Sequence, residues 1–304
     1  MVAAEQNIYA IVNPSAGNAD AGAIKRALTE LCQKNGWKYE VYLTTGAENL
    51  TEVTKWACAN GSTMLVAAGG DGTVAGVASG LVHTRIPLAI LPTGTGNGLA
   101  RAMKIPLNLE EAMELLVPDH FMQEIDAVQV GDQFYFLNVS AGISSNAMQE
   151  TKPKEKQKKG ILAYGETIVR DFSKIEASVF DLEIDGVKLQ VEAVEVLISN
   201  GCILKESPLL FGPRNSFADG QFEVNILTAG NLTEYIGLVW DILLNPPQSN
   251  PNLQIHTVKK QMRLDVQNQI KLVQADGEVI GHTPVNIQLV PRGIRLVVPE
   301  EEDK

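Results

Sequence analysis

The 304-residue sequence predicts an α/β domain that is followed by an antiparallel β-sandwich domain. In the first 125 residues, short apolar runs alternate with segments of helical periodicity, and this order builds a parallel sheet with helices on both faces. From about Ile125 onward, strand-like segments follow one another, and Gly131-Asp132 and Asp185-Gly186 are turn signals between such segments. We therefore expect two domains, 1–125 and 126–304.

The first domain is expected to contain four strands and five helices. Short apolar runs predict three of the strands, an alternating pattern predicts the strand 38–43, and apolar residues at helical spacing predict the helices. The expected strands are 8–12, 38–43, 64–68 and 88–91. The expected helices are 19–35, 50–59, 73–81, 99–103 and 109–116.

The second domain is expected to consist mainly of strands. Its expected strands are 127–130, 134–139, 177–184, 189–199, 221–227, 262–266, 270–275 and 285–290. Helices are expected near 162–172 and 232–243. The lysine-rich segment 152–159 is typical of a solvated loop, and contact with anionic lipid headgroups is its alternative role.

Composition narrows the class of protein. The net charge of −11 argues against non-specific binding to nucleic acid. Cys32, Cys58 and Cys202 have neither the number nor the spacing of a disulfide framework or a zinc site, and they fit a reducing cytoplasm. No signal peptide is evident and no run of 18 apolar residues occurs, so we expect a cytoplasmic protein without a transmembrane segment.

Two glycine-rich segments directly follow predicted buried strands. They are Gly69–Thr73 and Pro92–Gly98. The carboxyl ends of parallel strands form the edge at which open α/β folds bind ligands. Glycine allows backbone N–H groups to approach an anion closely, so these segments favour a phosphate ligand. The P-loop, dinucleotide-fingerprint and protein-kinase motifs are absent from the sequence, which leaves another kind of phosphoryl-transfer enzyme.

Four short motifs in order resemble the diacylglycerol kinase catalytic-domain family, which includes bacterial soluble lipid kinases and sphingosine kinases. They are Asn13-Pro14 with Gly17, Gly70-Asp71-Gly72-Thr73, Gly94-Thr95-Gly96-Asn97, and Asp276-Gly277-Glu278 followed by Thr283-Pro284. The resemblance covers nearly the whole chain. It implies a kinase that depends on ATP and Mg²⁺, with an N-terminal nucleotide domain, a C-terminal β-sandwich that carries the lipid site, and ATP in the cleft between them.

The resemblance implies a set of nucleotide-contacting residues in the first domain. These are Asn13, Thr44 or Thr45, Gly69, Gly70, Asp71, Gly72, Thr73, Thr95 and Asn97. Each has a plainer alternative, because Thr73, Thr95 and Asn97 could simply cap helices and the threonine pair could end a strand. The register between Thr44 and Thr45 stays open.

The resemblance also implies two places for metal ions. Asp71 would hold the catalytic Mg²⁺ directly or through water, with Asp126 behind it. A structural Mg²⁺ would be held by the Asp219 carboxylate and the carbonyl groups of Ser216 and Gln221. Bacterial lipid kinases of the family have a further aspartate between the two catalytic ones, and this chain has Gly98 there.

Glu278 is the predicted general base. Phosphoryl transfer to a hydroxyl requires removal of the acceptor proton as the new bond forms. A carboxylate next to a glycine can meet a hydroxyl without crowding it. The alternative is that Asp276-Gly277-Glu278 is only a hairpin turn.

The combined interpretation is a lipid kinase that phosphorylates a diacylglycerol-like or sphingoid hydroxyl and docks transiently at the membrane surface. Two alternatives stay open, a kinase for a soluble acceptor such as NAD or a sugar phosphate, and a nucleotide-binding regulator without turnover. A homodimer is possible.

Overall fold

The computed structural model describes residues 6–17, 20–117, 121–145, 177–201, 217–228, 230, 233–234 and 250–300. The expected helix 162–172, most of the expected helix 232–243, the lysine-rich segment 152–159, Cys202 and Ser216 lie outside these residues. Within the described part of the chain, no helix combines the length and the apolar character that a membrane crossing requires.

The chain divides into two compact units. Unit 1 comprises Met1–Ile125 together with Arg292–Lys304, and unit 2 comprises Asp126–Pro291. The expected second domain extended to residue 304, whereas its last residues lie with unit 1. The reason is a strand pairing, since Arg295 and Leu296 pair in parallel with Pro87 and Leu88 of the first sheet.

Unit 1 alternates strands and helices as the sequence predicts. Its elements in chain order are β1 (Asn7–Val12), α1 (Ala21–Asn35), β2 (Lys38–Leu43), α2 (Leu50–Ala59), β3 (Met64–Gly69), α3 (Asp71–Leu81), β4 (Pro87–Pro92), α4 (Gly98–Ala102) and α5 (Leu109–Glu114). The strand order β2-β1-β3-β4 is parallel throughout. Strand β3 is buried along its whole length, as its unbroken apolar sequence requires.

The remaining strands belong to unit 2, except that β5 and β16 are each divided equally between the two units. They are β5 (Phe121–Val130), β6 (Gln133–Tyr135), β7 (Asn138–Gly142), β8 (Ser178–Ile184), β9 (Val187–Ala193), β10 (Glu195–Ser199), β11 (Phe222–Leu227), β12 (Leu253–Val258), β13 (Gln261–Val266), β14 (Leu272–Ala275), β15 (Glu278–His282) and β16 (Val285–Val298). One sheet has the antiparallel order β12-β11-β10-β7-β14-β15. In the other, β13 pairs antiparallel with both β8 and β16. These units confirm the predicted fold class.

The core of unit 2 contains side chains from strands of both sheets. Phe180 of β8, Val139 of β7 and Val224 of β11 are among its buried residues. In the six-stranded sheet, the side chains next to these core residues face away from the core, because successive residues of a strand point to opposite sides of the sheet. Several of these are buried and polar, among them Ser140 and Glu195.

Two expected strands are wrong, because each is interrupted. The expected strand 134–139 is broken between Tyr135 and Asn138, where the Asp276 carboxylate accepts the backbone N–H groups that would otherwise continue the ladder. The expected strand 189–199 is broken at Val194, whose N–H donates to Leu227 of the other sheet. Strands β12 and β15 have no counterpart in the sequence prediction.

Phe180→Ala tests the core of unit 2. Phe180 is fully buried, and its truncation should lower the free energy of unfolding by about 3–5 kcal/mol, since it removes apolar contacts and leaves a cavity. Chemical denaturation followed by circular dichroism measures the change. Val187→Ala is the control, because Val187 is 70% exposed and its truncation should change little. Equal effects of the two substitutions would contradict this assignment of the core.

Candidate active site

The two glycine-rich loops of unit 1 lie side by side. They leave the neighbouring strands β3 and β4, whose last residues Gly69 and Pro92 are paired. The Thr93 N–H donates to the Gly69 carbonyl at 3.0 Å. A Cβ added to Gly94 would lie 2.5 Å from the Cα of Gly70, so only glycine permits this backbone contact. The two loops therefore lie next to each other at one edge of the sheet, as the sequence predicts.

Asp71 connects the first loop to the second. Its carboxylate accepts the N–H of Asn97 at 3.0 Å and the N–H of Gly98 at 2.6 Å. A Cβ on Gly96 would lie 2.4 Å from Asp71 Oδ2, so the second loop has room for glycine alone at that point. A carboxylate suits this place because the start of a helix presents unpaired N–H groups, here those at the start of α4.

Asn97 closes the second loop on itself. Its backbone is left-handed, with φ 55° and ψ 44°. Its side chain accepts from the Gly94 N–H at 3.0 Å and donates to the Gly94 carbonyl at 2.8 Å. Asn97 is buried, whereas Thr95 at the tip of the loop is exposed. Of these two predicted contact residues, Asn97 shapes the loop and Thr95 is open to solvent.

The segment Asn13–Gly17, which follows β1, contacts both glycine loops. Asn13 Nδ2 donates to Thr73 Oγ1 at 3.2 Å, which links it to the first loop. Gly17 has φ +60°, and a Cβ there would lie 1.9 Å from the Thr93 carbonyl oxygen, which links it to the second. Asn13, Thr73 and the glycine loops are therefore brought together within unit 1.

The structure separates the two threonines whose register the sequence left open. The Thr45 side chain donates to Glu48 at 2.8 Å, and its backbone N–H donates to the same carboxylate. These hydrogen bonds, the backbone one first, lower the pKa of Glu48 to about 2. Thr44 is buried next to the end of β1, where its N–H donates to Val12. Thr45 thus belongs to a local turn, and Thr44 is the better candidate for a ligand contact.

The loops of unit 1 fit a phosphate-bearing nucleotide. Gly17, Gly94 and Gly96 let these segments pack without side chains between them, and glycine-rich loops of this kind are typical of anion sites. The Thr93 hydroxyl is buried and has no hydrogen-bond partner among the described residues, so it can serve a ligand. Asp71 also fits Mg²⁺, which needs few carboxylates because it keeps several waters. The described residues contain no group of three or more His, Cys, Asp or Glu side chains that could hold a metal.

In unit 2, Asp126 is bonded to the turn that precedes β11. It is fully buried, and its carboxylate accepts the Gly220 N–H at 2.8 Å. Its own N–H donates to the Phe217 carbonyl at 2.6 Å. Asp219, in the same turn, accepts the Gln221 N–H at 3.2 Å. Its role in binding a structural ion stays a prediction, since Ser216 lies outside the described residues.

Glu278 is the first residue of β15 and is exposed. The two residues before it form a hairpin turn, with φ 47° at Asp276 and 89° at Gly277. The Asp276 carboxylate accepts the N–H groups of Phe136, Leu137 and Asn138 at 2.8, 3.0 and 2.9 Å. Asp276-Gly277-Glu278 therefore does contain a hairpin turn, as the alternative interpretation expected. Because this turn is anchored, it holds the Glu278 carboxylate in a fixed place.

Tyr135 is a neighbour of Glu278 that the sequence did not indicate. Burial, and then the negative charges of Asp276 and Glu278, raise the pKa of Tyr135 to about 12. The phenol donates to Gln133 at 2.6 Å and stays protonated at neutral pH. No local pattern could identify it, because Tyr135 and Glu278 are far apart along the chain.

Two family models match the chain. The model described as "Diacylglycerol kinase catalytic domain" matches residues 7–130, and the model described as "YegS C-terminal NAD kinase beta sandwich-like domain" matches residues 137–298. The chain belongs to the diacylglycerol kinase family. This membership confirms the resemblance and the prediction that the chain is an enzyme of the lipid kinase class.

Relatives match over most of the chain. A diacylglycerol kinase of Bacillus subtilis is 29% identical, with 96% of each chain covered. A protein of Pseudomonas putida named "Probable lipid kinase YegS-like" is 30% identical, with 91% of this chain and 90% of the relative covered. The chain spans 62% of an uncharacterized Synechocystis protein that is 26% identical. A crystal structure described as a diacylglycerol kinase from Bacillus anthracis shares the fold, with TM-score 0.73, 21% identity and 97% coverage of both chains.

Gly94→Ala tests the contact between the loops. The new methyl group would press on the backbone of Gly70 and move the loops apart, so binding of ATP should weaken at least about tenfold, which is about 1.4 kcal/mol. Isothermal titration calorimetry measures the affinity. Gly230→Ala is the matched control, because among the described residues its added methyl group would meet nothing closer than 3.7 Å. Unchanged ATP affinity in a folded Gly94→Ala variant would remove this contact from the nucleotide site.

Proposed function

We propose that the chain is an ATP- and Mg²⁺-dependent kinase that transfers the γ-phosphoryl group to a lipid hydroxyl. The observation that carries the proposal is the convergence of the Asn13–Gly17 segment and both glycine loops within unit 1. Glycine-rich loops at the carboxyl ends of parallel strands suit a polyphosphate ligand. Family membership supplies the reaction class.

The residues of unit 1 would bind and orient the triphosphate. Backbone amides of the two loops would meet the phosphates, with Asn97 holding the second loop in shape and the Thr93 hydroxyl available to an oxygen. Asp71 would hold Mg²⁺ through its remaining lone pairs or through water. When bound, the ion neutralises charge on the β- and γ-phosphates. Because positioning and charge stabilisation supply most of the catalysis, a rigid set of loops is what this reaction needs.

Glu278 would accept the proton of the attacking hydroxyl. It is exposed, so a substrate can reach it, and its place is fixed by the anchored turn before it. Tyr135 stays protonated beside it and adds no competing base. Asp126 is buried in unit 2, and a role for it in metal binding is proposed on the family resemblance.

A diacylglycerol-like lipid is the first proposed acceptor, and a sphingoid base the second. The names of the Bacillus subtilis and Pseudomonas putida relatives support a lipid substrate. Since such lipids reside in bilayers, the enzyme would work in the cytoplasm and associate transiently with a membrane surface. A soluble acceptor such as NAD is the second candidate function, because the matched C-terminal model is described as NAD kinase-like.

An acceptor panel tests the proposal. The purified chain is incubated with γ-labelled ATP and Mg²⁺, and with mixed micelles of diacylglycerol or sphingosine, or with NAD or a sugar phosphate. Labelled lipid is the expected product. Label in a soluble product alone would replace the first function by the second. ATP binding without transfer to any acceptor would indicate a nucleotide-binding regulator, with Gly98 in place of the acidic residue as the sequence feature that accounts for it.

Glu278→Gln tests the proposed base. A general base typically contributes about 10²–10⁴-fold, so turnover should fall by that factor, or about 2.7–5.5 kcal/mol in barrier, with ATP affinity unchanged. A steady-state assay of lipid phosphorylation measures the turnover of the variant. Glu192→Gln removes a carboxylate that is also exposed, from β9, and should leave turnover unaltered. Near-normal turnover of Glu278→Gln would exclude Glu278 as the base.

A further inference from the structure

Gln274 connects the turn before Glu278 to the interior of the six-stranded sheet. Its side chain is 5% exposed. Its Oε1 accepts the Gly277 N–H at 3.2 Å, directly before Glu278 in the sequence. Its Nε2 donates to Asn138 Oδ1 at 3.0 Å and to Ser140 Oγ at 2.7 Å. The amide therefore holds the turn on one side and two side chains of β7 on the other.

The hydrogen bonds continue from Ser140 to a buried carboxylate. Ser140 Oγ lies 2.5 Å from Ser144 Oγ, and the Ser144 hydroxyl donates to Glu195 Oε1. The Ser144 N–H donates to Glu195 Oε2 at 3.0 Å. Glu195 is 4% exposed, and burial raises its pKa against the opposing effect of these bonds. Gln274, Ser140, Ser144 and Glu195 thus form one continuous chain, which we call the Gln274–Glu195 chain.

The protons in this chain can be placed from its ends. Because the Gly277 N–H is a donor, Gln274 must present its oxygen to the turn and its NH₂ group to Ser140. Ser140 then accepts from Gln274 and can give its own proton to Ser144. Ser144 in turn gives its proton to Glu195, whose carboxylate in its ionised form also accepts from the Ser144 N–H, the Ser140 side chain and the Ile143 backbone. Every bond points from the turn toward the carboxylate.

We propose that Gln274 and Glu195 are positioning residues for Glu278, with the carboxylate of Glu195 fixing the direction of the chain and hence the orientation of Gln274. The inference rests on the proposed role of Glu278 as the base. Asp276 anchors the turn to the 136–138 segment, and Gln274 holds Gly277 from inside the sheet. Together they leave the backbone before Glu278 little freedom.

Stability alone is a poor explanation for Glu195. A buried carboxylate carries a desolvation cost, and buried charged groups can often be replaced by apolar residues without loss of stability. A polar network in which every member is bonded rigidifies its surroundings. The chain ends at the residue before the proposed base, where fixed geometry is worth most, because a misplacement of about 1 Å can cost about 10²-fold in rate.

A swap of the two end residues tests the inference. Gln274→Glu replaces the NH₂ donor by an oxygen, and Glu195→Gln places an NH₂ group opposite donors, so each single variant opposes the direction of the chain. In the double variant the hydrogen bonds can point in the opposite direction, from the new amide at position 195 through Ser144 and Ser140 to the new carboxylate at position 274. Its side-chain volumes and its single buried carboxylate match those of the wild type, so it should fold.

In lipid phosphorylation assays, each single variant should lower kcat by roughly 10- to 100-fold with the KM for ATP unchanged. The double variant should recover to within a few-fold of the wild type. Gln288→Glu, at an exposed position of β16, is the matched control and should have wild-type kinetics. Single variants with wild-type kcat, or a double variant no better than the worse single variant, would overturn the proposal.

Hydrogen–deuterium exchange of the 274–282 segment separates this inference from the proposed function. Exchange should be faster in both single variants and return to the wild-type rate in the double variant. If the wild type phosphorylates no lipid, the proposed function fails, and exchange still decides whether the chain holds the turn. If exchange does not differ among the four proteins, the Gln274–Glu195 chain does not position the turn, whatever the activity.

Discussion

The interaction on which the rest of unit 1 depends is the pair of hydrogen bonds from Asn97 and Gly98 to the Asp71 carboxylate. The two glycine loops have almost no side chains that could hold them together. Their contact at Gly70 and Gly94 is backbone against backbone and supplies little attraction of its own. Together with the backbone hydrogen bond from Thr93 to Gly69, this carboxylate therefore fixes the spacing of the two loops. Charge-assisted bonds to backbone N–H groups are short and strong enough for this task.

Two aspartates of unit 2 also hold the backbone through several N–H groups. Asp276 accepts three backbone N–H groups of the segment 136–138, and Asp185 accepts those of Lys259, Lys260 and Gln261. These hydrogen bonds outweigh the effect of burial and keep the pKa of Asp185 below its usual value. In each case a carboxylate holds a turn or a chain break in one conformation. For the turn before Glu278, this rigidity turns an exposed glutamate at a strand end into a candidate base.

The sequence predicts what is local and misses what distant residues impose. Strand β2 and helix α2 begin and end where the sequence predicts, because the hydrophobic pattern that indicates each of them lies within the segment itself. The break after Tyr135 depends on Asp276, 140 residues away from Phe136, and no local pattern contains it. Likewise the glycine loops were predicted to meet, whereas the bonds of Asp71 to the second loop and the burial of Gln274 required the structure. The contact of Thr45 with Glu48 likewise required the structure, and the choice between Thr44 and Thr45 as the nucleotide contact stays a prediction.

The most direct test of this account is the affinity of the Asp71→Asn variant for ATP in the absence of Mg²⁺, measured by calorimetry. The two N–H groups of the second loop are accepted by different oxygens of Asp71, and in the variant one of these is replaced by an NH₂ group that opposes an N–H, so the account predicts weaker ATP binding than in the wild type. If Asp71 served only as a metal ligand, removal of its negative charge would relieve repulsion with the phosphates. Equal or tighter binding of ATP by Asp71→Asn would contradict the claim that this carboxylate builds the phosphate site.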